Sequence, residues 1–237
     1  MVEIFNEWLV FSLILFGIWL IIFIFRKGLR KEMFLVSLFT MPFGLTEPLF
    51  VPEYWNPPSL FNLAAKTGFD MESLIFSFAI GGIGVALYGL FFSLKHYKMS
   101  KHEKHGKKHK DHLLALFSPI ITFIILFFLT NLNPIYSASI AMFIGGIAAA
   151  ICRPDLKKKT LLGGFLFLVL YFFFFLFFNL VYPNAVERFW NLSGISGILI
   201  FGVPLEELVF AFTFGMMWSG VYEHVLGYKI KGRNQFH

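Results

Sequence analysis

The chain has 237 residues, of which 57% are hydrophobic, 20% aromatic and only 14% charged, where soluble domains carry roughly 25% charged positions. Phenylalanine alone supplies 34 residues, more than a water-soluble interior of this size hides, so the composition excludes a soluble enzyme and indicates a protein of several membrane spans. The net charge of +6 sits in short stretches between apolar runs, which is the pattern of topology signals and not of nucleic-acid binding.

Taken in chain order, seven apolar stretches approach the roughly 20 residues that a span requires: Trp8–Phe25, Met33–Val51, Met71–Leu94, Leu113–Thr130, Pro134–Ile151, Thr160–Tyr182 and Pro204–Leu226. The first lacks a basic segment before it and is read as a retained helix, not a cleaved signal. Basic residues fall at alternate connections: four in Arg26–Lys31, seven lysines in Lys95–His112, four in Arg153–Lys159, then Lys229, Lys231 and Arg233. The remaining connections hold Lys66 alone, no base, and Arg188 alone. The positive-inside rule places the N-terminus outside and the C-terminus in the cytoplasm, and an odd number of spans agrees.

Lys95–His112 also holds five of the seven histidines. Interleaved lysines repel a cation, so the segment reads as a solvated basic loop near anionic headgroups in preference to a metal or pH-sensing patch. The single cysteine, Cys152, excludes disulfide frameworks and cysteine-based metal or iron–sulfur sites. No metal is expected.

Two parts of the chain align with one another. Arg26-Lys-Gly-Leu-Arg-Lys lies over Arg153-Pro-Asp-Leu-Lys-Lys, and Pro48 and Pro183 each precede a tryptophan, Trp55 and Trp190, by seven residues. Glu72, Phe76, Phe78 and Gly81 fall on Glu206, Phe210, Phe212 and Gly215. The expected fold is therefore an all-α membrane protein of seven transmembrane helices, in which two parallel three-helix repeats are joined by a linking helix. Residues 1–95 form the first repeat, 96–132 the basic loop and linking helix, and 133–237 the second repeat with its cytoplasmic tail.

Ionisable residues within spans are costly and mark candidate sites; here they are Glu47, Glu72, Glu206, Glu207 and Glu223. A carboxyl in a low-dielectric setting favours its neutral form, the more so beside a second carboxyl, and is then a usable general acid. Capping of a helix N-terminus competes with this reading, since Pro204 suits a first turn and Glu206 and Glu207 follow it. Glu47 is placed near an outer end, and Glu223 and His224 at an interfacial inner end. Trp55 and Trp190 suit an aromatic belt, and the paired glycines Gly81-Gly82 and Gly145-Gly146 suit close helix packing. No span before Lys229 carries a lysine for a retinal Schiff base in the last helix, and no Asp-rich or Gly-rich fingerprint implies magnesium–diphosphate or a redox cofactor.

Pro204-Leu-Glu-Glu207, with Leu208-Val-Phe210 after it and Trp190 before it, resembles the lycopene cyclase domain, the small non-flavin membrane cyclases built from three-span domains. The duplication with a linking span resembles the fused form, over most of residues 8–227. The first repeat departs from the pattern, with Asp70-Met-Glu72-Ser73 in place of the paired acids and their proline. The resemblance implies a redox-neutral, cofactor-free cyclisation of a linear carotenoid end group, begun by a carboxylic acid. Glu206 would be that acid, Glu72 or Glu207 its partner or the base, and Trp55, Trp190, Phe76, Phe210 and Glu47 would contact substrate. Implied partners are a carotenoid or other isoprenoid lipid and the bilayer of a prokaryotic cell membrane; a homo-oligomer is compatible with the sequence. Rival readings are a hydratase or isomerase of a related polyene, a non-catalytic isoprenoid binder, and, against the sparse intramembrane charge, a small transporter.

Overall fold

A computed structural model describes residues 6–92, 94–100 and 112–232, and the protein is mostly helical. Helix α1 (Glu7–Phe25) is opened by Asn6, whose side-chain oxygen accepts from the Leu9 amide at 2.7 Å, an N-cap of the preferred type. Its C-terminal carbonyls are met by Arg30, whose guanidinium donates to Phe23 at 2.7 Å and Ile24 at 2.9 Å. Helix α2 (Arg30–Thr40) then tightens into a 3-10 stretch over Met41–Leu49. Pro42 and Pro48 account for the change, because each removes an amide donor and crowds the preceding turn. A connection containing the short helix α3 (Leu63–Thr67) leads to α4 (Met71–Phe91) and strand β1 (Leu94–Lys98).

Helices α5 (His112–Leu129), α6 (Pro134–Cys152) and α7 (Lys157–Val181) follow, then the five-residue α8 (Ala185–Phe189) and the two-residue strands β2 (Leu199–Ile200) and β3 (Val203–Pro204). The chain ends in α9 (Leu205–Trp218), α10 (Val221–Leu226) and strand β4 (Tyr228–Gly232), with the Ser219-Gly220 break between the last two helices. Five helical segments are long and apolar enough to cross a membrane: Glu7–Phe25, Met71–Phe91, His112–Leu129, Pro134–Cys152 and Pro154–Val181. All five lie close to predicted bounds, and they make this an integral membrane protein. Helix α5 has no buried residue; its exposed Ile, Leu and Phe side chains would be costly in water and suit a lipid environment.

The other two predicted spans are built differently, as α2 plus the 3-10 stretch and as α9 plus α10. The all-α expectation also needs correcting. Strand β1 pairs antiparallel with β4, Leu94 opposite Gly232 and Lys98 opposite Tyr228, so the start of the predicted basic loop and part of the predicted tail form a ribbon. The rest of that loop, residues 101–111, lies outside the described residues. Strands β2 and β3 make a second, minimal hairpin.

Contacts group the chain into two units. The first comprises Met1–Ile83, Asn133–Ile135 and Val169–Leu208; the second comprises Gly84–Leu132, Tyr136–Leu168 and Val209–His237. In the first, α2 approaches α4 closely because Gly82 lacks a side chain: a Cβ there would collide with Trp19 and Ser37. Trp19 Nε1 donates to Ser37 Oγ at 2.9 Å across that contact. Phe11 is wholly buried among Phe174, Phe175 and Phe178, with ring centroids 4.4, 5.6 and 4.9 Å away.

The second unit is held by a buried ion network. Lys159 Nζ donates to Glu223 Oε1 at 2.6 Å with both side chains fully buried, and His96 Nε2 lies 2.8 Å from the same oxygen. Arg153 forms a bidentate pair with Asp155 at 2.9 and 2.7 Å and donates to the Glu223 carbonyl at 3.1 Å. This corrects two expectations. Glu223 and His224 are buried, not interfacial, because Glu223 is the counter-charge of Lys159. Arg153 and Lys159 are likewise buried, so half of that basic cluster serves internal pairing.

Candidate functional site

The first unit gathers most of the acidic candidates. Glu207, on the first turn of α9, accepts three hydrogen bonds: from Tyr54 Oη at 2.5 Å and Trp190 Nε1 at 2.9 Å on Oε1, and from Tyr171 Oη at 3.0 Å on Oε2. The donors come from the connection after the 3-10 stretch, from the residue after α8, and from the middle of α7. Two phenols and an indole thus give each oxygen of this buried carboxyl at least one donor. Burial, and next the Glu207 charge, push the Tyr54 hydroxyl well above the ordinary tyrosine range, so it remains a donor at neutral pH.

Glu206 points elsewhere. Its Oε1 accepts from the Ser196 amide at 2.9 Å. Glu72, on the first turn of α4, is fully buried and accepts on Oε1 from the Leu60 amide at 2.6 Å and from Asn6 Nδ2 at 2.9 Å. The two glutamates thus make the same contact, each holding a backbone amide of the loop that leads from its tryptophan to its helix. Glu72 Oε2 is buried without a hydrogen-bond partner among the described residues. Both carboxyls stand in the first turn of their helices, and at α4 the Ser73 amide is capped by Asp70, whose Oδ1 accepts from it at 2.6 Å.

Glu47 joins this cluster. It is buried, and Ser73 Oγ donates to its Oε2 at 2.5 Å. The approach depends on Gly44, where a Cβ would fall 2.6 Å from the Ser73 carbonyl. The Asp70 carboxyl lies beside Glu47.

Aromatic rings line the same unit. Trp8 stands 4.5 Å from Trp55 and 5.1 Å from Phe76, and Trp190 stands 5.5 Å from Trp55 and 5.4 Å from Phe175, centroid to centroid. Trp190 is buried and Trp55 half-buried. Phe210 belongs to the second unit, where its ring lies 5.6 Å from Phe214.

Of the residues singled out from sequence, Glu207 and Trp190 are thus in direct contact, and Glu47 meets Ser73 beside Glu72. Sequence reasoning missed Tyr54, Tyr171, Asp70 and Asn6 as partners of these acids. A signal existed for two of them. Tyr171 is a lone hydroxyl in a phenylalanine run, and Tyr and Trp polar groups seek a partner when buried; Asn6 directly precedes an apolar helix, at an N-cap position.

A membrane protein with a buried set of carboxyls, phenols and indoles is the class that the fold and site define. Within it, residues 133–225 match the family model described as lycopene cyclase, so this stretch carries that family's sequence pattern. It includes Tyr171, Trp190, Glu206 and Glu207. No curated protein and no solved structure matches the chain.

Proposed function

We propose that this protein is a multi-pass membrane cyclase that closes rings on a linear carotenoid by acid initiation. The observation that carries the proposal is the Glu207–Trp190–Tyr171 contact. Its three members lie in the stretch matched to the lycopene cyclase family, and they sit in one unit with Glu72 and Glu47.

The chain crosses the membrane seven times, with the N-terminus outside and the C-terminus in the cytoplasm. Helix α2 and the 3-10 stretch together reach about 34 Å at rises of about 1.5 and 2.0 Å per residue, enough for a hydrocarbon core of about 30 Å. The two three-helix repeats are parallel. Supporting this, the backbone bonds at the tryptophans are reciprocal: Asn56 donates to Phe189 and Asn191 donates to Tyr54, as expected where two equivalent segments meet about a local twofold axis.

In the reaction, a carboxylic acid adds its proton to the terminal double bond of the polyene. The tertiary cation is attacked by an internal alkene, forming the ring bond, and the new cation loses a proton to a carboxylate. Glu206 and its counterpart Glu72 are the acids, each anchored through one oxygen. Glu207, fixed by three donors, is the carboxylate that faces the cation or receives the proton. Trp55, Trp190 and Phe76 exclude water and stabilise the cation through their ring faces.

Expression in a lycopene-accumulating host tests the proposal. Wild type is expected to yield monocyclic or bicyclic carotene, and Glu206→Gln to yield none while the protein remains in the membrane. Unchanged lycopene with wild-type protein in the membrane would overturn cyclisation of lycopene and favour an isoprenoid-binding role.

A further inference from the structure

The geometry points to a transition-metal site, of the zinc class, formed by His112, Cys152 and His224 in the second unit. The three residues come from separate elements: His112 opens α5, Cys152 closes α6, and His224 lies in α10. One ligand atom from each lies within 4.8 Å of the other two. Cys152 Sγ stands 3.7 Å from His112 Nδ1. The two imidazoles meet edge to face, with centroids 4.6 Å apart at 83°.

These separations suit coordination. Zinc bonds of about 2.0–2.1 Å to nitrogen and about 2.3 Å to sulfur set neighbouring donors roughly 3.3–3.8 Å apart in a tetrahedron. The sulfur–nitrogen pair already meets that edge, and the widest separation needs about 1 Å of side-chain rotation to reach it. One thiolate and two imidazoles without a carboxylate select zinc-like ions over magnesium or calcium. Three protein donors leave a fourth position to water or another ligand.

Electrostatics supports the same conclusion. Two cations beside the cluster are engaged elsewhere: Arg153, next to Cys152, pairs with Asp155, and Lys159 pairs with Glu223, next to His224. Cys152 and His224 are both buried, where a neutral thiol and imidazole gain little from proximity and a bound cation would hold both. The single cysteine, from which the sequence reading excluded a cysteine-based metal site, is sufficient here because the histidines of two other segments complete the set. An ion at this point would tie α5 and α10 to the end of α6, so occupancy stabilises the folded state by mass action.

Purified full-length protein in detergent, stripped with a chelator and titrated with cobalt(II), tests the site. The expected result is one cobalt per chain with a thiolate-to-cobalt charge-transfer band, which only Cys152 can supply because the chain has no other cysteine. Zinc displaces the band at one equivalent. Cys152→Ser abolishes it, while His112→Gln and His224→Gln each weaken zinc binding about tenfold or more. His105→Gln/His109→Gln, in the basic segment, leaves both readouts unchanged. A band that never appears in wild type overturns the site. So does wild-type zinc affinity in the two single-histidine variants, whose retained cysteine and monodisperse elution report an intact fold.

Discussion

Trp55 and Trp190 face one another across an isolated antiparallel bridge, yet only Trp190 reaches a carboxylate. Its indole N–H donates to Glu207 at 2.9 Å and to Tyr54 Oη at 3.2 Å, while Trp55 contributes ring contacts to Trp8 and Trp190. Two residues in matching places therefore differ in what they stabilise. Trp190→Phe keeps most of the ring and deletes the donor, and a buried acceptor robbed of its donor costs about 1–3 kcal/mol. Trp55→Phe loses only ring area, about 0.5–1.5 kcal/mol of aromatic pairing. Thermal unfolding in one detergent should rank Trp190→Phe as the more destabilised. The reverse order would remove the Glu207 bond from the account of stability.

Tyr54 gives this network a pH signature. Its hydroxyl is held well above the ordinary tyrosine value of 10.0 in the folded protein, whereas in the unfolded chain it ionises near that value. The folded state thus retains a proton that the unfolded state releases. The contribution is fully present below about pH 10 and is lost as pH rises through the folded value. Wild type should lose thermal stability more steeply above pH 10 than Tyr54→Phe, which has no hydroxyl to ionise. Parallel pH profiles for the two proteins would place the alkaline loss elsewhere.

Much of the helical frame was legible because span length and hydropathy are local properties: α1, α4, α5, α6 and α7 begin and end close to their predicted bounds. The site was legible only in its sequence-local half. Trp190 and Glu207 stand 17 residues apart and were both chosen, but Tyr54 is 153 residues from Glu207, and nothing in its own neighbourhood marks it as a donor to that acid. Lys159 and Glu223 misled for a related reason. Charge at a helix end reads as solvated until a partner 64 residues away is brought against it.

Gly44 positions Glu47 by what it lacks. A methyl group there would press on the Ser73 carbonyl and the Leu74 amide, 2.6 and 2.7 Å from the new Cβ, both backbone atoms of α4 that cannot rotate away. Overpacking of this kind costs about 1–3 kcal/mol, and displacing the 3-10 stretch would also separate Glu47 from Ser73. Gly17, in the middle of α1, has open space around its own Cβ position, so Gly17→Ala should gain about 0.5–1 kcal/mol from helix propensity. Unfolding midpoints moving in opposite directions for the two alanine variants would support this packing. An unchanged midpoint for Gly44→Ala would mean that the stretch stands off from α4.

The Lys159–Glu223 pair makes the sharpest energetic prediction. Both side chains are fully buried, and the 2.6 Å contact is joined by His96 on the same carboxylate oxygen. Removing one member leaves the other charge buried with less compensation, at a cost of about 3–5 kcal/mol, whereas replacing both with apolar groups of similar volume is often neutral or stabilising. Lys159→Met alone should therefore lower expression and thermal midpoint severely, as should Glu223→Leu alone. The double variant should recover much of the loss. His96 sets how complete the recovery is, because it loses its carboxylate partner in the double variant and its exposed edge must be solvated instead. Two single variants whose losses simply add in the double variant would mean that the charges act independently, and the buried pair would then not be what joins α7 to α10.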